Sequence, residues 1–176
     1  DMVKAFKQIS TLPIDVHLMT TCPNDWIEQV AQAGADIISV HAETIGGDAF
    51  RTLNRIEELG CGKGLVLNPA TPLETAKHYL DRIDILTIMT VDVGFSGQPF
   101  IIEMLEKIKE AKKLREEYGY HYKIQIDGSC NLHTFKRLKK AGADIYIVGG
   151  SGLFQLDENV ETAFELMRKD YIEAVS

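Results

Sequence analysis

Short apolar runs alternate with amphipathic stretches along the whole chain. Apolar runs bounded by turn residues predict buried strands, whereas apolar positions that recur every three or four residues predict helices packed on one side. The predicted strands are Ile14–Met19, Asp36–His41, Gly64–Asn68, Ile85–Asp92, Lys123–Asp127 and Asp144–Gly149. The predicted helices are Met2–Ser10, Asn24–Ala33, Asp48–Leu59, Pro72–Leu80, Pro99–Tyr118, Leu132–Ala141 and Asn159–Val175. A leading helix followed by repeated strand–helix units is typical of an α/β fold with a parallel sheet.

The units run on without a break. The tetrapeptide Ala-Gly-Ala-Asp occurs at Ala33–Asp36 and at Ala141–Asp144, and each copy closes a predicted helix and opens a predicted strand. Glycine just past the last helical residue is a common helix cap. No Pro/Ser-rich or low-complexity segment separates the units. The sequence therefore predicts one domain over residues 1–176 with a weak internal repeat.

Two architectures accept repeated strand–helix units: an open doubly wound sheet and a closed eight-stranded barrel. In both, functional side chains lie at the carboxyl ends of the strands, so the predicted location of a site does not depend on the choice. The 176 residues fall short of the ~250 that are typical of an eight-stranded barrel. Length alone favours an open sheet or a truncated barrel.

Polar side chains collect on one face of the predicted strands. Side chains alternate between the two faces of a strand, so the strand parity turns these residues away from the helices: Asp15, His17, Met19, His41, Asn68, Met89 and Asp127. Strands buried on both faces are normally apolar. Imidazole with carboxylate is a common ligand set for a divalent metal, which points to His17 and Asp127. The competing explanations are a satisfied core histidine, an ordinary Asp-Gly turn and methionines that fill core gaps.

Three glycine-containing turns follow the last three predicted strands. Glycine lets backbone N–H groups approach an anion closely, and serine hydroxyls add donors. The candidate substrate-binding residues in these turns are Gly94, Phe95, Ser96, Gly97, Gly128, Ser129, Gly149, Gly150 and Ser151. Any one turn is explained equally well by the tight geometry that glycine permits. Three at one rim predict a phosphate site.

Charge and composition narrow the class of partner. The net charge is -7, from 19 Lys and Arg against 26 Asp and Glu, and no basic cluster with interleaved aromatic residues is present, which excludes an electrostatic nucleic-acid site. No apolar run approaches the ~20 residues that span a bilayer, and no apolar signal core opens the chain. Cys22, Cys61 and Cys130 form no CxxC motif, which suits reduced thiols. We expect a cytoplasmic protein that contacts neither nucleic acid nor membrane.

Four separated motifs resemble the ribulose-phosphate 3-epimerase family in order and spacing. They are Asp15–Met19, Asn68–Pro72, Met89–Phe100 and Ile126–Gly128. The likeness covers essentially the whole chain.

Three further sequence segments resemble the branch of that family that acts on allulose 6-phosphate: His41–Ile45, Asp127–Asn131 and Ser151–Phe154. The branch that acts on pentulose phosphates typically has a second glycine at the position of Ser129.

The resemblance implies a TIM (βα)8 barrel of the ribulose-phosphate-binding type and an isomerase of carbohydrate metabolism. Such an enzyme epimerises C3 of a ketose phosphate with a divalent metal (Zn, Mn, Co, Fe or Mg) and two aspartates on opposite faces of the sugar. Residue by residue, Asp127 matches a catalytic aspartate, and His17 and Asp127 match metal ligands. His17, Met19, Met89, Asp127 and the glycine turns match substrate-binding positions. The implied partners are a small sugar phosphate and further copies of the chain in a homo-oligomer.

The chain departs from the family pattern in three places. The His-x-Asp-x-Met-Asp-Gly motif that carries the second aspartate and a second histidine ligand is absent. By this resemblance Asp1 lies in the helix before the third barrel strand, and we expect the first βαβ segment to be missing from this sequence. Val93 stands where proline is usual, and Gly150 stands where this branch usually has threonine.

Three functions remain open on the sequence. The expected one is 3-epimerisation of allulose 6-phosphate to fructose 6-phosphate. The alternatives are ribulose-5-phosphate 3-epimerase and a non-catalytic module that binds a phosphate ligand, the last favoured by the missing second aspartate.

Overall fold

The computed structural model describes residues 1–176 and contains an all-parallel sheet with helices on its outer side. The strands are β1 (Asp15–Leu18), β2 (Ile37–His41), β3 (Gly62–Leu67), β4 (Ile85–Met89), β5 (Lys123–Asp127) and β6 (Ile145–Ile147). The α-helices are α1 (Met2–Ile9), α2 (Ile27–Gln32), α3 (Ala49–Glu58), α4 (Met104–Tyr118), α5 (Phe135–Ala141) and α6 (Val160–Val175). A π-helical turn covers Gly150–Phe154 after β6. None of the helices combines the length and apolar character that a bilayer-spanning segment needs.

The strands pair in chain order, β1 to β6, and every neighbouring pair is parallel. A doubly wound sheet reverses its strand order at a switch point, and this sheet does not. The open doubly wound alternative is therefore wrong, and the topology is that of a barrel wall.

The sheet is strongly curled. Gln125 on β5 donates from Nε2 to Oδ2 of Asp15 on β1 over 3.1 Å, although strands four positions apart in a flat sheet would lie about 19 Å apart. Asp15 also accepts a 2.7 Å hydrogen bond from Ser39. A Cβ on Gly64 would lie only 1.9 Å from the Ser39 hydroxyl, so glycine there leaves room for this polar layer. The inner face of the sheet is thus strongly concave, and the edge strands β1 and β6 do not pair with each other.

The main core lies between the sheet and the helices. Its fully buried members include Ile38, Leu65, Leu86 and Ile124 from four successive strands, each 0% exposed, with Phe135 of α5 at 1%. These side chains are the outward set of each strand, so the parity that turns them toward the helices turns His17, His41 and Asp127 to the interior. Burial of an aliphatic side chain contributes about 1.5–3 kcal/mol, which fixes the strand register strongly.

At the amino ends of the strands one hydrogen-bonding arrangement occurs three times. Three aspartates each directly precede a strand: Asp36, Asp84 and Asp144. The backbone N–H of each donates to the carbonyl of one residue in, or directly before, the preceding strand. The carboxylate of the aspartate accepts the backbone N–H of that same residue. Their partners in turn are Ile14, Lys63 and Ile124, with side-chain distances of 2.8, 2.7 and 2.9 Å. The Ala-Gly-Ala-Asp repeat marks two of these positions, and the third occurs without that tetrapeptide.

One predicted helix is wrong. Pro72–Leu80 forms no α-helix but two short 3-10 turns, Leu73–Ala76 and Leu80–Arg82. Leu73, Ala76 and Tyr79 are all buried, and this spacing of three matches the three residues per turn of a 3-10 helix.

The predicted strand Ile85–Asp92 is too long, because β4 ends at Met89. Thr90 accepts a backbone hydrogen bond from Ile101 and bonds through its hydroxyl to the Gly128 carbonyl. The chain therefore leaves the sheet at this point and forms a loop over its carboxyl edge.

Candidate active site

Three polar side chains meet at the carboxyl ends of β1, β2 and β5, inside the curl of the sheet. His17 places Nδ1 3.6 Å from Oδ2 of Asp127 and Nε2 2.8 Å from Nε2 of His41. The two imidazole rings stack at a centroid distance of 4.9 Å. The three side chains that strand parity predicts on the inner face thus contact one another. They do so although their strands are far apart in the sequence: Asp15 of β1 and Gln125 of β5, which are hydrogen-bonded, are separated by 110 residues.

Burial and hydrogen bonding set the protonation preference of His41 and of Glu43 beside it. His41 is 4% exposed, and burial together with the neighbouring His17 holds its pKa below the ordinary value. Beside it, Glu43 lies with Oε2 3.4 Å from His41 Nδ1. Burial acts to raise the pKa of Glu43, but hydrogen bonds from the Thr71 hydroxyl and the Asn68 N–H outweigh it and hold that pKa below its usual range. Near neutral pH the pair is a neutral imidazole beside a carboxylate.

Asn68, which the sequence placed among the inward polar side chains, is bound in the structure through its backbone. Its Oδ1 is buried without a hydrogen-bond partner, and its backbone is anchored from two sides. The Asn68 N–H donates to Glu43 over 2.9 Å. The ammonium of Lys107 donates to the carbonyls of Asn68, Pro69 and Thr71 over 2.7–2.9 Å. The loop after β3 is therefore a rigid wall behind the histidines.

Lys107 was not assigned to the site from the sequence. It lies on α4, is 9% exposed, and burial lowers the pKa of its ammonium. The sequence feature that could have indicated its role is its helical spacing: Lys107 lies on the same face of α4 as the buried residues Met104, Ile108 and Ala111. A cation on the apolar stripe of a helix needs partners, but the sequence did not indicate which.

The His17–Asp127 pair fits a divalent cation. Two ligand atoms bound tetrahedrally at about 2.1 Å lie roughly 3.4 Å apart, close to the 3.6 Å between His17 Nδ1 and Asp127 Oδ2. Imidazole nitrogen and carboxylate oxygen suit Zn, Mn, Co or Fe. No group of three or more His, Cys, Asp or Glu side chains in the chain is arranged to hold a metal, so His17 and Asp127 would supply two of the donors that such a site needs.

The glycine turns converge beside this pair. They line one cavity of about 460 Å³. The predicted site residues on its wall are Met19, Met89, Gly94, Phe95, Ser96, Gly97, Asp127, Gly128, Ser129, Gly149, Gly150 and Ser151. No Lys or Arg lines the cavity, so an anion bound there would rely on backbone N–H groups and hydroxyls. His17 lies next to the cavity through Asp127 but is not part of its wall.

Backbone geometry explains two of the glycines. Gly128 has φ +121°, and a Cβ there would lie 2.8 Å from Val91 Cγ2 and 2.9 Å from Thr90 Oγ1. A Cβ on Gly152 would lie 2.0 Å from the carbonyl oxygen of Cys130. The turns after β5 and β6 therefore pack directly against their neighbours, which no other residue type permits.

Side-chain hydrogen bonds tie the three turns together. Ser129, with φ +51°, donates from its hydroxyl to the Gln98 carbonyl over 2.8 Å. Asn131 donates from Nδ2 to the Ser151 hydroxyl over 3.1 Å. Gln98 and Asn131 lie within the motifs of the sequence but were assigned no role there. They hold the cavity wall in one shape.

Comparison with known proteins places this geometry in a family. A model described as the ribulose-phosphate 3 epimerase family matches residues 1–154. A ribulose-phosphate 3-epimerase of Bacillus subtilis (strain 168) is 41% identical over 157 residues, which are 89% of this chain and 72% of the relative. A ribulose-phosphate 3-epimerase of Escherichia coli (strain K12) is 38% identical over 147 residues, which are 84% of this chain and 65% of the relative. The chain thus spans about two thirds of the length of these relatives.

Solved structures support the fold independently. KGPDC from Streptococcus mutans, in a crystal structure of its ligand complex, superposes with a TM-score of 0.76 at 14% sequence identity and covers 99% of this chain and 80% of that one. At this identity the likeness shows the parallel α/β fold alone. The family match over most of the chain and the identities of 41% and 38% to two ribulose-phosphate 3-epimerases show more: the chain belongs to the ribulose-phosphate 3-epimerase family of sugar-phosphate isomerases.

Proposed function

We propose that this chain carries the phosphate-binding wall and one acid/base carboxylate of a metal-dependent ketose-phosphate 3-epimerase. The observation that carries the proposal is the placement of the His17–Asp127 pair, 3.6 Å apart, at a cavity whose wall is built from three glycine turns. A phosphate in those turns would set the distance from the anchored end of a sugar to Asp127.

The chemistry requires a carboxylate at this position. A proton on carbon next to a carbonyl is weakly acidic, so its removal needs stabilisation of the negative charge that develops on the sugar oxygens. A divalent ion held by His17 and Asp127 would supply Lewis-acid stabilisation of that charge. Asp127 removes the C3 proton in one direction of the reaction and delivers it in the other.

The remaining residues bind and orient the sugar phosphate. Backbone N–H groups of the glycine turns bind the phosphate, and this remote binding energy aligns C3 with Asp127. Both methionines line the cavity. Met89 is 3% exposed and excludes water from the reacting carbon, whereas Met19 is 60% exposed.

Inversion of C3 also needs an acid on the opposite face of the sugar. The family motif that would supply it, His-x-Asp-x-Met-Asp-Gly, does not occur in residues 1–176. Residues 1–176 alone are therefore expected to bind the phosphate without inverting C3, because loss of one member of a catalytic unit removes most of the rate.

Two substrates fit the proposal. The allulose 6-phosphate assignment rests on Ser129, whose hydroxyl fixes the Gln98 loop, and on the motifs around His41 and Ser151. The ribulose 5-phosphate alternative rests on the names of the relatives from Bacillus subtilis and Escherichia coli. A cytoplasmic location and a homo-oligomer stay predictions of the sequence.

The test is conversion of each sugar phosphate to its C3 epimer, with deuterium incorporation at C3 followed in heavy water. The protein as encoded by its gene and the segment Asp1–Ser176 are each incubated with allulose 6-phosphate and with ribulose 5-phosphate, with Mn²⁺ or Zn²⁺ added. We expect the encoded protein to invert C3 with exchange and the segment not to invert it, and the sugar that is inverted faster identifies the substrate. Exchange of neither sugar by the encoded protein, together with phosphate binding, would support the binding module instead.

A further inference from the structure

His41 and Glu43 stand directly behind His17 and are not explained by the proposed reaction. The His17 and His41 rings share one short contact, Nε2 to Nε2 at 2.8 Å. A neutral imidazole has one N–H donor and one acceptor nitrogen. One of the two Nε2 atoms therefore carries the hydrogen, and its choice decides what the two Nδ1 atoms can do.

The two Nδ1 atoms face different surroundings. His41 Nδ1 is buried, has no hydrogen-bond partner and lies 3.4 Å from the Glu43 carboxylate. His17 Nδ1 lies 3.6 Å from Asp127, where the two side chains are 16% and 22% exposed. A lone pair directed at Asp127 is open to water or a cation, whereas a lone pair directed at Glu43 would be sealed against an anion. Since unpaired buried acceptors beside an anion are costly, Nδ1 of His41 carries its hydrogen.

The Glu43 carboxylate is held in a fixed position beside His41 Nδ1. Its Oε1 accepts the Asn68 N–H over 2.9 Å and the Thr71 hydroxyl, which leaves Oε2 for His41. Lys107 holds the same loop through three carbonyls. The carboxylate thus cannot swing away from the ring without breaking the loop after β3.

The geometry points to His41 as a positioning residue for His17. In this assignment His41 Nδ1 carries its hydrogen beside the Glu43 carboxylate, 3.4 Å away, and His41 Nε2 accepts the hydrogen of His17 Nε2. The lone pair of His17 Nδ1 then lies on the side of Asp127. A cation ligand needs such a fixed tautomer and ring orientation. The inference rests on the proposed function in that it takes His17 as a cation ligand, and it deepens that function by naming the residues that set its tautomer.

The first test is nuclear magnetic resonance of the encoded protein with ¹⁵N-labelled histidine, near pH 8 and without metal. Two-bond ¹H–¹⁵N correlations distinguish the tautomers. We expect hydrogen on Nε2 of His17 and on Nδ1 of His41. The reverse assignment, with hydrogen on Nδ1 of His17 and Nε2 of His41, would overturn the inference whatever the variants do.

The second test is Zn²⁺ affinity by competition with a chelating indicator. His41→Phe keeps a ring of similar size but removes the acceptor, and we expect at least about tenfold weaker Zn²⁺ binding with a mixed His17 tautomer. His41→Gln offers an amide oxygen as acceptor and should recover most of the loss. His78→Gln removes an exposed histidine that forms no hydrogen bond or ion pair with His17, His41 or Glu43, and it should change neither readout.

These outcomes separate the inference from the proposed function. Wild-type affinity and an unchanged His17 tautomer in a folded His41→Phe protein would overturn the positioning role, even if the enzyme epimerises its sugar. Conversely, the expected tautomers and Zn²⁺ losses in a protein that exchanges no C3 proton would leave the positioning role standing and remove the epimerase assignment.

Discussion

The two rims of the curled sheet use similar residues in opposite ways. At the amino rim, Asp36, Asp84 and Asp144 each bind a backbone N–H of the preceding strand and pair with a cationic or imidazole side chain. The side-chain partners are Lys7, His121 and Arg115 in that order. At the carboxyl rim, Asp127 faces a cavity.

The difference extends to the unsatisfied groups. The two buried side-chain atoms without a hydrogen-bond partner are His41 Nδ1 and Asn68 Oδ1, and both lie at the carboxyl rim. Ser129, the non-glycine residue with positive φ, lies there too. Buried polar groups without partners and strained backbone are costly and cluster where function requires them. The amino rim therefore stabilises the sheet, and we propose that the carboxyl rim is organised for binding and chemistry.

The largest expected effect comes from breaking the carboxyl rim. Asp127→Asn keeps the shape of the side chain but removes the proposed acid/base carboxylate and cation ligand, so C3 exchange by the encoded protein should fall by at least about 10³-fold. The midpoint of urea unfolding should change little. Retention of more than a tenth of the exchange rate would show that another residue moves the proton.

The amino rim should respond in the opposite way. Asp144→Ala leaves the Ile124 N–H without its side-chain acceptor and Arg115 without its ion pair, so we expect a loss of about 1–3 kcal/mol in the free energy of unfolding. Sugar-phosphate affinity should stay unchanged. Asp81→Ala removes an exposed carboxylate and should stay within about 0.5 kcal/mol of the parent protein. Equal losses in the free energy of unfolding for Asp144→Ala and Asp81→Ala would show that the amino-rim aspartate does not stabilise the sheet.

A third comparison concerns glycine at the cavity. Gly128→Ala places a Cβ 2.8 Å from Val91 Cγ2 at φ +121°, so the turn must shift, and we expect roughly tenfold weaker binding of inorganic phosphate, measured by calorimetry. Gly46→Ala is the matched control, because a Cβ there meets nothing within 4 Å. Unchanged phosphate affinity in Gly128→Ala would move the anion away from this turn.

The smallest expected effect is the pH dependence of the amino rim. Burial acts to raise the pKa of Asp144, but the Ile124 N–H and Arg115 outweigh it and hold that pKa below its ordinary value. A lowered folded-state pKa gives stability that is present above about pH 4 and lost as the pH falls through the folded value. Asp144→Asn should thus cost less at pH 3 than at pH 7, by under about 1 kcal/mol. A constant difference in urea midpoint would contradict this sign.

Local patterns predicted much of this molecule. Apolar runs located all six strands, and their parity turned His17, His41 and Asp127 to one side, because a two-residue period is fixed by the backbone itself. The tetrapeptide repeat marked Asp36 and Asp144 because its glycine closes a helix and its aspartate directly precedes the next strand. The α-helix predicted at Pro72–Leu80 is wrong because apolar residues three apart fit a 3-10 turn as well as an α-helix. The apolar pattern alone does not distinguish the two.

Long-range pairings could not be predicted in the same way. Lys107 binds a loop whose carbonyls lie 36–39 residues earlier in the chain, and Glu43 reaches Asn68 across 25 residues. Such contacts depend on how the sheet curls, which is set by packing of the whole domain. The sequence indicated the groups in need of partners, but not the partners.

The most direct test of the account is a crystal structure of the encoded protein with its sugar phosphate and Mn²⁺ or Zn²⁺. The account predicts the phosphate against the backbone N–H groups of the turns at Gly94–Gly97, Gly128–Ser129 and Gly149–Ser151, with C3 in reach of the Asp127 carboxylate. A phosphate bound at the amino rim, or held by Lys and Arg side chains elsewhere, would contradict it.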